Sequence, residues 1–250
     1  MIIDGHAHLG NGKYSDVAYY LNEMEKYGIE KMVVCPGDMF DVTKMADFMR
    51  GKEPLMNYEP HNDWVKNAMD KYPDKFYGFF MVDPEIHKIE DIEMAIDEGF
   101  VGIKLNPLIN KIDFYSDLIV EIFMFSSKNR IPIYTHLTMN SKSGIEALTE
   151  AVEKYNPIII IGHMGFSSAD WEAVELCRDN PNVYLETSVG AFRAIKEAIS
   201  VVGANKLIFG SEGPSHNVKV ELTKIKMLEL EDNQMKLILH KNIEGLIVRK

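Results

Sequence analysis

The chain has 250 residues, of which 46% are hydrophobic and 26% charged, with a formal net charge of -11. Length and composition suit a globular protein with one substantial core, residues 1–250 forming a single domain. The acidic balance argues against nucleic acid or an anionic membrane as partner, since both are polyanions.

Two cysteines, Cys35 and Cys177, stand far apart in no pair spacing, which excludes a disulfide framework and a cysteine-rich zinc module. The opening residues run straight into a strand and leave no room for a secretory leader. No apolar run approaches the roughly 18 residues that cross a bilayer. A cytoplasmic location and a small-molecule substrate are expected, with a homodimer as the default form of any self-association.

Strand-like and helical segments alternate along the chain. The first strand candidate, Ile2–Asp4, precedes a helical face of Val17, Tyr20, Leu21 and Met24, with Ser15 as the expected N-cap and Gly28 as the stop. Lys31–Cys35 is the second strand. The irregular stretch from Pro36 to Pro60 follows, with Val42, Met45, Ala46 and Met49 spaced for a helix, and His61 and Asp63 are placed to cap a helix beginning near Trp64. Phe76–Val82 is the third strand, and Ile89, Ile92 and Ile96 mark a helix that Gly99 ends. Val101–Leu105 and Ile131–Thr135 come next. Ser143 and Glu146 have capping-box spacing ahead of Ile145, Leu148 and Val152. Ile158–Gly162, Val183–Thr187 and Lys206–Gly210 complete the strands.

Several of these strands are short and almost wholly apolar, as in a parallel sheet covered on both faces. Eight βα units in series predict an α/β fold, a (β/α)8 TIM barrel, for which about 250 residues is typical. A doubly wound open sheet is the alternative that alternation by itself permits. The 15 methionines are read as core filling on helical faces.

Most of the reactive side chains stand where these strands end, and in a barrel those ends converge on the face that carries active sites. His6 and His8 follow the first strand, two residues apart, so that on extended backbone both imidazoles point the same way and can share one ion. His136 ends the fifth strand, His163 the sixth and Glu212 the eighth. Three imidazoles and a carboxylate make an N/O site suited to zinc and permissive for manganese, iron or cobalt. A histidine outside the coordination shell can orient substrate or move protons. Lys104 lies on the fourth strand opposite Ile103 and Leu105, and the segment leaves open which set faces the interior; an anion-binding or ion-paired lysine is expected there. His216, after Pro214, is either a residue of the substrate mouth or an exposed loop histidine. Cys35 ends the second strand and, without an evident base, reads as a small buried apolar residue.

Across nearly its whole length the sequence resembles the amidohydrolase superfamily, in the branch that includes aminocarboxymuconate-semialdehyde decarboxylase-like enzymes and several lactonases. The resemblance rests on Ile3-Asp-Gly-His-Ala-His8, Lys71-Tyr-Pro-Asp-Lys-Phe76, Val101-Gly-Ile-Lys-Leu-Asn-Pro107, Pro132-Ile-Tyr-Thr-His136, Ile161-Gly-His163, Asn182-Val-Tyr-Leu185, Phe209-Gly-Ser-Glu-Gly-Pro214 and Leu239-His-Lys-Asn-Ile-Glu-Gly-Leu246, in that order. It implies a barrel with His6, His8 and His136 as metal ligands and His163 polarising substrate or the attacking water. The family's usual eighth-strand aspartate ligates the metal and accepts a proton; here Glu212 holds that place. Some superfamily members use a carboxylated lysine on the fourth strand, the place of Lys104, to bridge two metals, but this branch usually holds one.

The expected function is metal-dependent hydrolysis of a lactone, amide or ester through an activated water. The alternatives are non-oxidative decarboxylation of an unsaturated or aromatic carboxylic acid on the same site, and a catalytically weak barrel that binds metal or ligand.

Overall fold

In the computed structural model, which describes residues 1–37, 59–167 and 170–248, eight parallel strands pair in chain order. They are β1 (Ile3–Leu9), β2 (Lys31–Pro36), β3 (Phe76–Met81), β4 (Gly102–Leu105), β5 (Pro132–Thr135), β6 (Ile158–Ile161), β7 (Val183–Glu186) and β8 (Leu207–Ile208). Ring closure comes from β1 against the segment after β8. Gly5 donates to Phe209 O at 2.8 Å, Glu212 to His6 O at 2.9 Å, and His8 to Gly213 O at 2.7 Å. Sequential parallel pairing with closure defines the TIM barrel and excludes the doubly wound sheet.

The helices that return the chain are α1 (Val17–Tyr27), α2 (Asn62–Lys71), α3 (Ile89–Asp97), α4 (Asp117–Asn129), α5 (Ile145–Tyr155), α6 (Trp171–Asp179) and α7 (Phe192–Val202). Then α8 (Val218–Lys226), α9 (Asp232–Lys236), a wide turn over Leu237–Lys241 and α10 (Asn242–Ile247) complete the chain. None of the described helices is long and apolar enough to cross a membrane.

The strands divide the core in two. Met32, Val34, Phe76, Phe80, Ile103, Leu105, Ile133, Ile159, Ile161, Val183, Leu185 and Leu207 face the helices in one large cluster. Ile3, Val33, Phe79, Ile160 and Ile208 fill the barrel interior in a second, which Ile243 and Ile247 of α10 join. Each strand is buried on both faces, which is why the apolar runs show so little alternation.

Some local expectations change. The N-cap of α1 is Asp16, which accepts from Tyr19 N at 2.7 Å, because Ser15 turns back to Gly12 O. Gly28 ends that helix in the left-handed region as expected, at φ 70°. The box read into Ser143 and Glu146 does not form: Gly144 is the N-cap of α5, and Ser143 Oγ pairs instead with Thr138 Oγ1 at 2.7 Å. His61 occupies the N-cap position of α2 without a side-chain capping bond and stacks on Trp64. The helix expected over Val42–Met49 lies outside the described residues. Methionines fill the core only in part: Met24, Met32, Met81 and Met164 are buried, whereas Met94, Met124, Met139 and Met227 are exposed.

Candidate metal centre

The strand ends deliver the polar groups to one face, and β1 does so through an irregularity. Its register against β2 shifts between Asp4 and Ala7. Ile3 before the shift belongs to the interior cluster, whereas Ala7 and Leu9 after it belong to the helix-facing one. A one-residue slip exchanges the faces of a strand, so His6 and His8 are turned to the barrel axis. Both lie within β1; the sequence reading ended that strand at Asp4 and placed them after it. On β4, Ile103 and Leu105 face the helices, which sends Lys104 inward and settles its orientation. Tyr134 of β5, Cys35 of β2 and Glu186 of β7 join it, with His136, His163 and Glu212 immediately beyond their strands.

Glu212 is the hub. Its Oε2 lies 2.8 Å from His6 Nε2 and 3.6 Å from His163 Nε2, and its Oε1 3.3 Å from His8 Nε2. Lys104 Nζ stands 2.7 Å from His136 Nε2, 3.4 Å from His6 Nε2 and 3.9 Å above the Tyr134 ring. The His6 ring stacks on Tyr134 with centroids 4.0 Å apart. Two of these residues, His163 (φ 59°) and Glu212 (φ 54°), hold left-handed backbone, as does the core residue Met164 (φ 63°) beside them in sequence. Such conformations are costly for non-glycine residues and persist where the surroundings over-determine them, often at functional sites.

Burial and mutual charge shape the protonation states. Burial opposes ionisation of Glu212, but His163, His8 and His6 around it win and hold the carboxyl well below its ordinary range. His8 is the reverse case: burial disfavours its charge, yet Cys35 and Glu212 beside it push the imidazole up to about 10. Burial, with Lys104 and His163 nearby, keeps His136 well below its usual value, so its Nε2 can accept from the lysine. Burial also lowers Lys104 to about 8.

The donor atoms fall into two overlapping triads. One nitrogen from each of His6, His136 and His163 lies within 4.8 Å of the others, and the same holds for His6, His8 and the sulfur of Cys35. His6 belongs to both. Glu212 Oε2, buried against these rings, finds no partner of hydrogen-bonding geometry among the described residues. An orphaned carboxylate oxygen facing imidazole nitrogens is a donor set that accepts a divalent transition metal. Of the residues expected as ligands, Glu212 therefore lies against His6 and His8, whereas His136 shares a triad with His6 and His163 and not with His8.

His163 is fixed from behind. Its Nδ1 is 2.9 Å from Ser188 Oγ, which donates to Glu186 Oε2 at 2.8 Å; the same oxygen accepts from Tyr134 OH at 2.8 Å and from His163 N at 3.2 Å. Glu186 is fully buried, and Gly210 makes room for it, since a Cβ there would collide with the carboxylate. Sequence reasoning passed over Glu186 and Ser188, although the strand-end rule pointed at them: the motif read on that strand stops at Leu185, one residue short. His216 lies outside the cluster, 43% exposed, with its ring 3.9 Å from Glu221.

A closed (β/α)8 barrel with clustered histidines and carboxylates on its strand ends is the form of a metal-dependent barrel enzyme. The family model described as Amidohydrolase matches residues 3–246, and the chain belongs to that family. No curated protein matches it in sequence. Among solved structures, 2,6-dihydroxybenzoate decarboxylase from Rhizobium superposes with a TM-score of 0.74 at 16% identity over 98% of both chains. A dihydroxybenzoic acid decarboxylase from a Polaromonas species, with bound manganese and the inhibitor 2-nitroresorcinol, gives 0.75 at 18% identity, covering 98% of this chain and 96% of that one. A probable 2-pyrone-4,6-dicarboxylic acid hydrolase from Acinetobacter baumannii with citric acid bound gives 0.72 at 16% identity over 98% of both. At these identities the likeness is one of fold.

Proposed function

We propose that the protein hydrolyses a small organic substrate, a lactone, ester or amide, with one divalent transition metal, zinc by preference, held by His6, His8, His136 and Glu212. The observation that carries this reading is the placing of Glu212, whose two carboxylate oxygens lie 2.8 Å from His6 Nε2, 3.6 Å from His163 Nε2 and 3.3 Å from His8 Nε2, within reach of an ion on those rings and of water beside it. When bound, the metal supplies Lewis acidity that polarises the scissile carbonyl and acidifies water. Glu212 takes the proton from the attacking water and returns it to the leaving oxygen or nitrogen. His163, fixed through Nδ1 by Ser188, turns Nε2 toward Glu212 and the substrate carbonyl. Lys104 offers a buried ammonium to a carboxylate on the substrate.

That lysine also favours a second reading, non-oxidative decarboxylation of an unsaturated or aromatic carboxylic acid. An ammonium beside a metal would seat the carboxylate that leaves, and two of the structural relatives are decarboxylases. Turnover of a panel of lactones, esters, amides and aromatic acids in H2(18)O and in D2O separates the two. Hydrolysis places solvent oxygen in the product and releases no CO2. Decarboxylation releases CO2 and places a solvent deuteron on carbon, and that outcome would overturn the hydrolytic assignment. Metal-loaded protein that turns over none of them would leave a binding barrel.

A further inference from the structure

We propose that Glu221 and Lys224 of α8 are positioning residues, a clamp that holds the loop after β7 in a strained turn and thereby keeps Ser188 behind the His163 ring. The inference rests on the reading that His163 works in the site, and adds the residues that place it.

The strain sits at Val189. Gly190 N donates to Ser188 O at 2.6 Å, closing a three-residue turn whose central residue, Val189, has φ 61°. A γ-turn with positive φ at its centre is the rare and strained form, and a β-branched side chain there adds to the cost. Such backbone persists only where its neighbours over-determine it. Here the neighbours come from α8, 32 and 34 residues further along the chain. Val189 N donates to Glu221 Oε2 at 3.2 Å, and Lys224 Nζ donates to Gly190 O at 2.9 Å. Lys224 Nζ also lies 2.6 Å from the same Glu221 oxygen. The pair thus grips the turn by the N–H at its centre and by the carbonyl that follows. Glu221 is buried, and an ion pair taken out of water adds little net stability over apolar groups of the same size. What this pair supplies instead is two directed bonds to the turn.

What the turn holds in place is a single hydroxyl. Ser188 Oγ has one proton, and Glu186 Oε2 at 2.8 Å takes it. Toward His163 Nδ1, at 2.9 Å, the hydroxyl can therefore only accept, so the ring carries a proton on Nδ1. On the opposite edge Glu212 Oε2 stands 3.6 Å from Nε2 and offers that proton another seat. Which nitrogen holds it depends on the partner at the other. The turn also packs against the histidine's own loop, since a Cβ on Gly190 would meet Met164 Cγ at 2.9 Å. Were Val189 to relax to the negative φ that it prefers, the chain would be redirected at its neighbour Ser188, and Nδ1 would lose its acceptor. The clamp on α8 therefore decides which edge of His163 is protonated, although neither of its residues touches the ring.

The test is made by NMR on the full chain, labelled with 15N, reconstituted with zinc, and with the His163 signals identified as those missing from His163→Asn. In the wild type Nδ1 should be a protonated nitrogen, and the Val189 amide should exchange slowly with D2O. In Glu221→Leu/Lys224→Met, which leaves no orphaned charge, the Nδ1 signal should shift toward the range of a bare nitrogen. Adding Val189→Gly, a residue that holds positive φ unaided, should restore the wild-type position. The same addition should restore nothing in Ser188→Ala. A bare Nδ1 in the wild type, rapid exchange at Val189, or unmoved His163 signals in the folded double variant would each overturn the proposal. The first two are read on wild-type protein, so the test holds even where the double variant fails to fold. The ring itself is the readout, so the clamp stands or falls separately from whether the protein hydrolyses a lactone, ester or amide.

Discussion

The barrel interior has two levels built on the same strands, and they obey opposite rules. At the lower level Ile3, Val33, Phe79, Ile160 and Ile208 meet in an apolar plug, each at most 1% exposed. One inward position further along come Cys35 after Val33, Met81 after Phe79, Tyr134 after Pro132, Glu186 after Tyr184, and His6 beyond the shift in β1. Shape suffices for the lower level, because apolar groups gain from any close packing. The upper level is less completely buried, with Glu212 14% exposed, and it carries charge, so each polar group depends on particular partners: Glu186 on Ser188 and Tyr134, Glu212 on three imidazoles. Alternation along a strand chooses the side, and height chooses the chemistry.

Substitutions at the upper level should act on metal and turnover, and those at the lower level on stability. The largest effect is expected from replacing His6 and His8 together by alanine, which removes two donors from one wall. Metal analysis of protein prepared without chelator should find near-stoichiometric metal in the wild type and essentially none in the double variant. Unchanged metal in the variant would mean that the ion sits elsewhere.

Single changes to the proton-handling groups come next. Glu212→Gln and His163→Asn should each lower kcat by about 10²–10⁴ on an identified substrate. His163→Asn should leave metal content intact; metal lost in step with activity would make that residue a ligand. Glu212→Ala should weaken metal binding as well, while Glu212→Asp should keep partial activity. Wild-type activity in Glu212→Gln would remove the carboxylate from acid–base chemistry.

A smaller loss is expected one bond further out. Ser188→Ala cuts the link from Glu186 to His163 Nδ1, and partners at this remove from a metal site typically cost 10–100-fold in activity or affinity. Ser188→Thr, which keeps the hydroxyl, should recover part of the loss. If alanine and threonine behave alike, the hydroxyl does not position the ring.

At the lower level Ile160→Ala should cost about 2–5 kcal/mol of stability, read by denaturant unfolding, with metal stoichiometry unchanged. A change in metal content there would show that the two levels are coupled.

The smallest effect concerns Cys177, outside both. Burial pushes its thiol from an ordinary value near 9 up to about 12. Between those values the unfolded chain releases the proton and the folded chain keeps it, so stability falls as pH rises through that window, by on the order of 1 kcal/mol per pH unit. Below pH 9 the thiol contributes no slope. The stability gap between wild type and Cys177→Ser should therefore narrow from pH 8 to about pH 10. A constant gap would show that the thiol is not protected by the fold.

The sequence by itself determined a good deal. The eight strand segments were legible because doubly buried parallel strands are short apolar runs, and the stop at Gly28 because the left-handed position after a helix suits glycine. The convergence of His6, His8, His136, His163 and Glu212 was legible because a barrel gathers its strand ends on one face. Tertiary structure alone decided the phases. Period-two alternation says that neighbours face opposite ways, not which of them faces in; packing of Ile103 and Leu105 against the helices decided that for Lys104. The shift inside β1, the pairing of His8 with Cys35, and the seating of Glu186 against Gly210 arise between segments roughly 20 or more residues apart. No local propensity carries such register information, because it is fixed only when distant strands have paired and both faces of the sheet are filled.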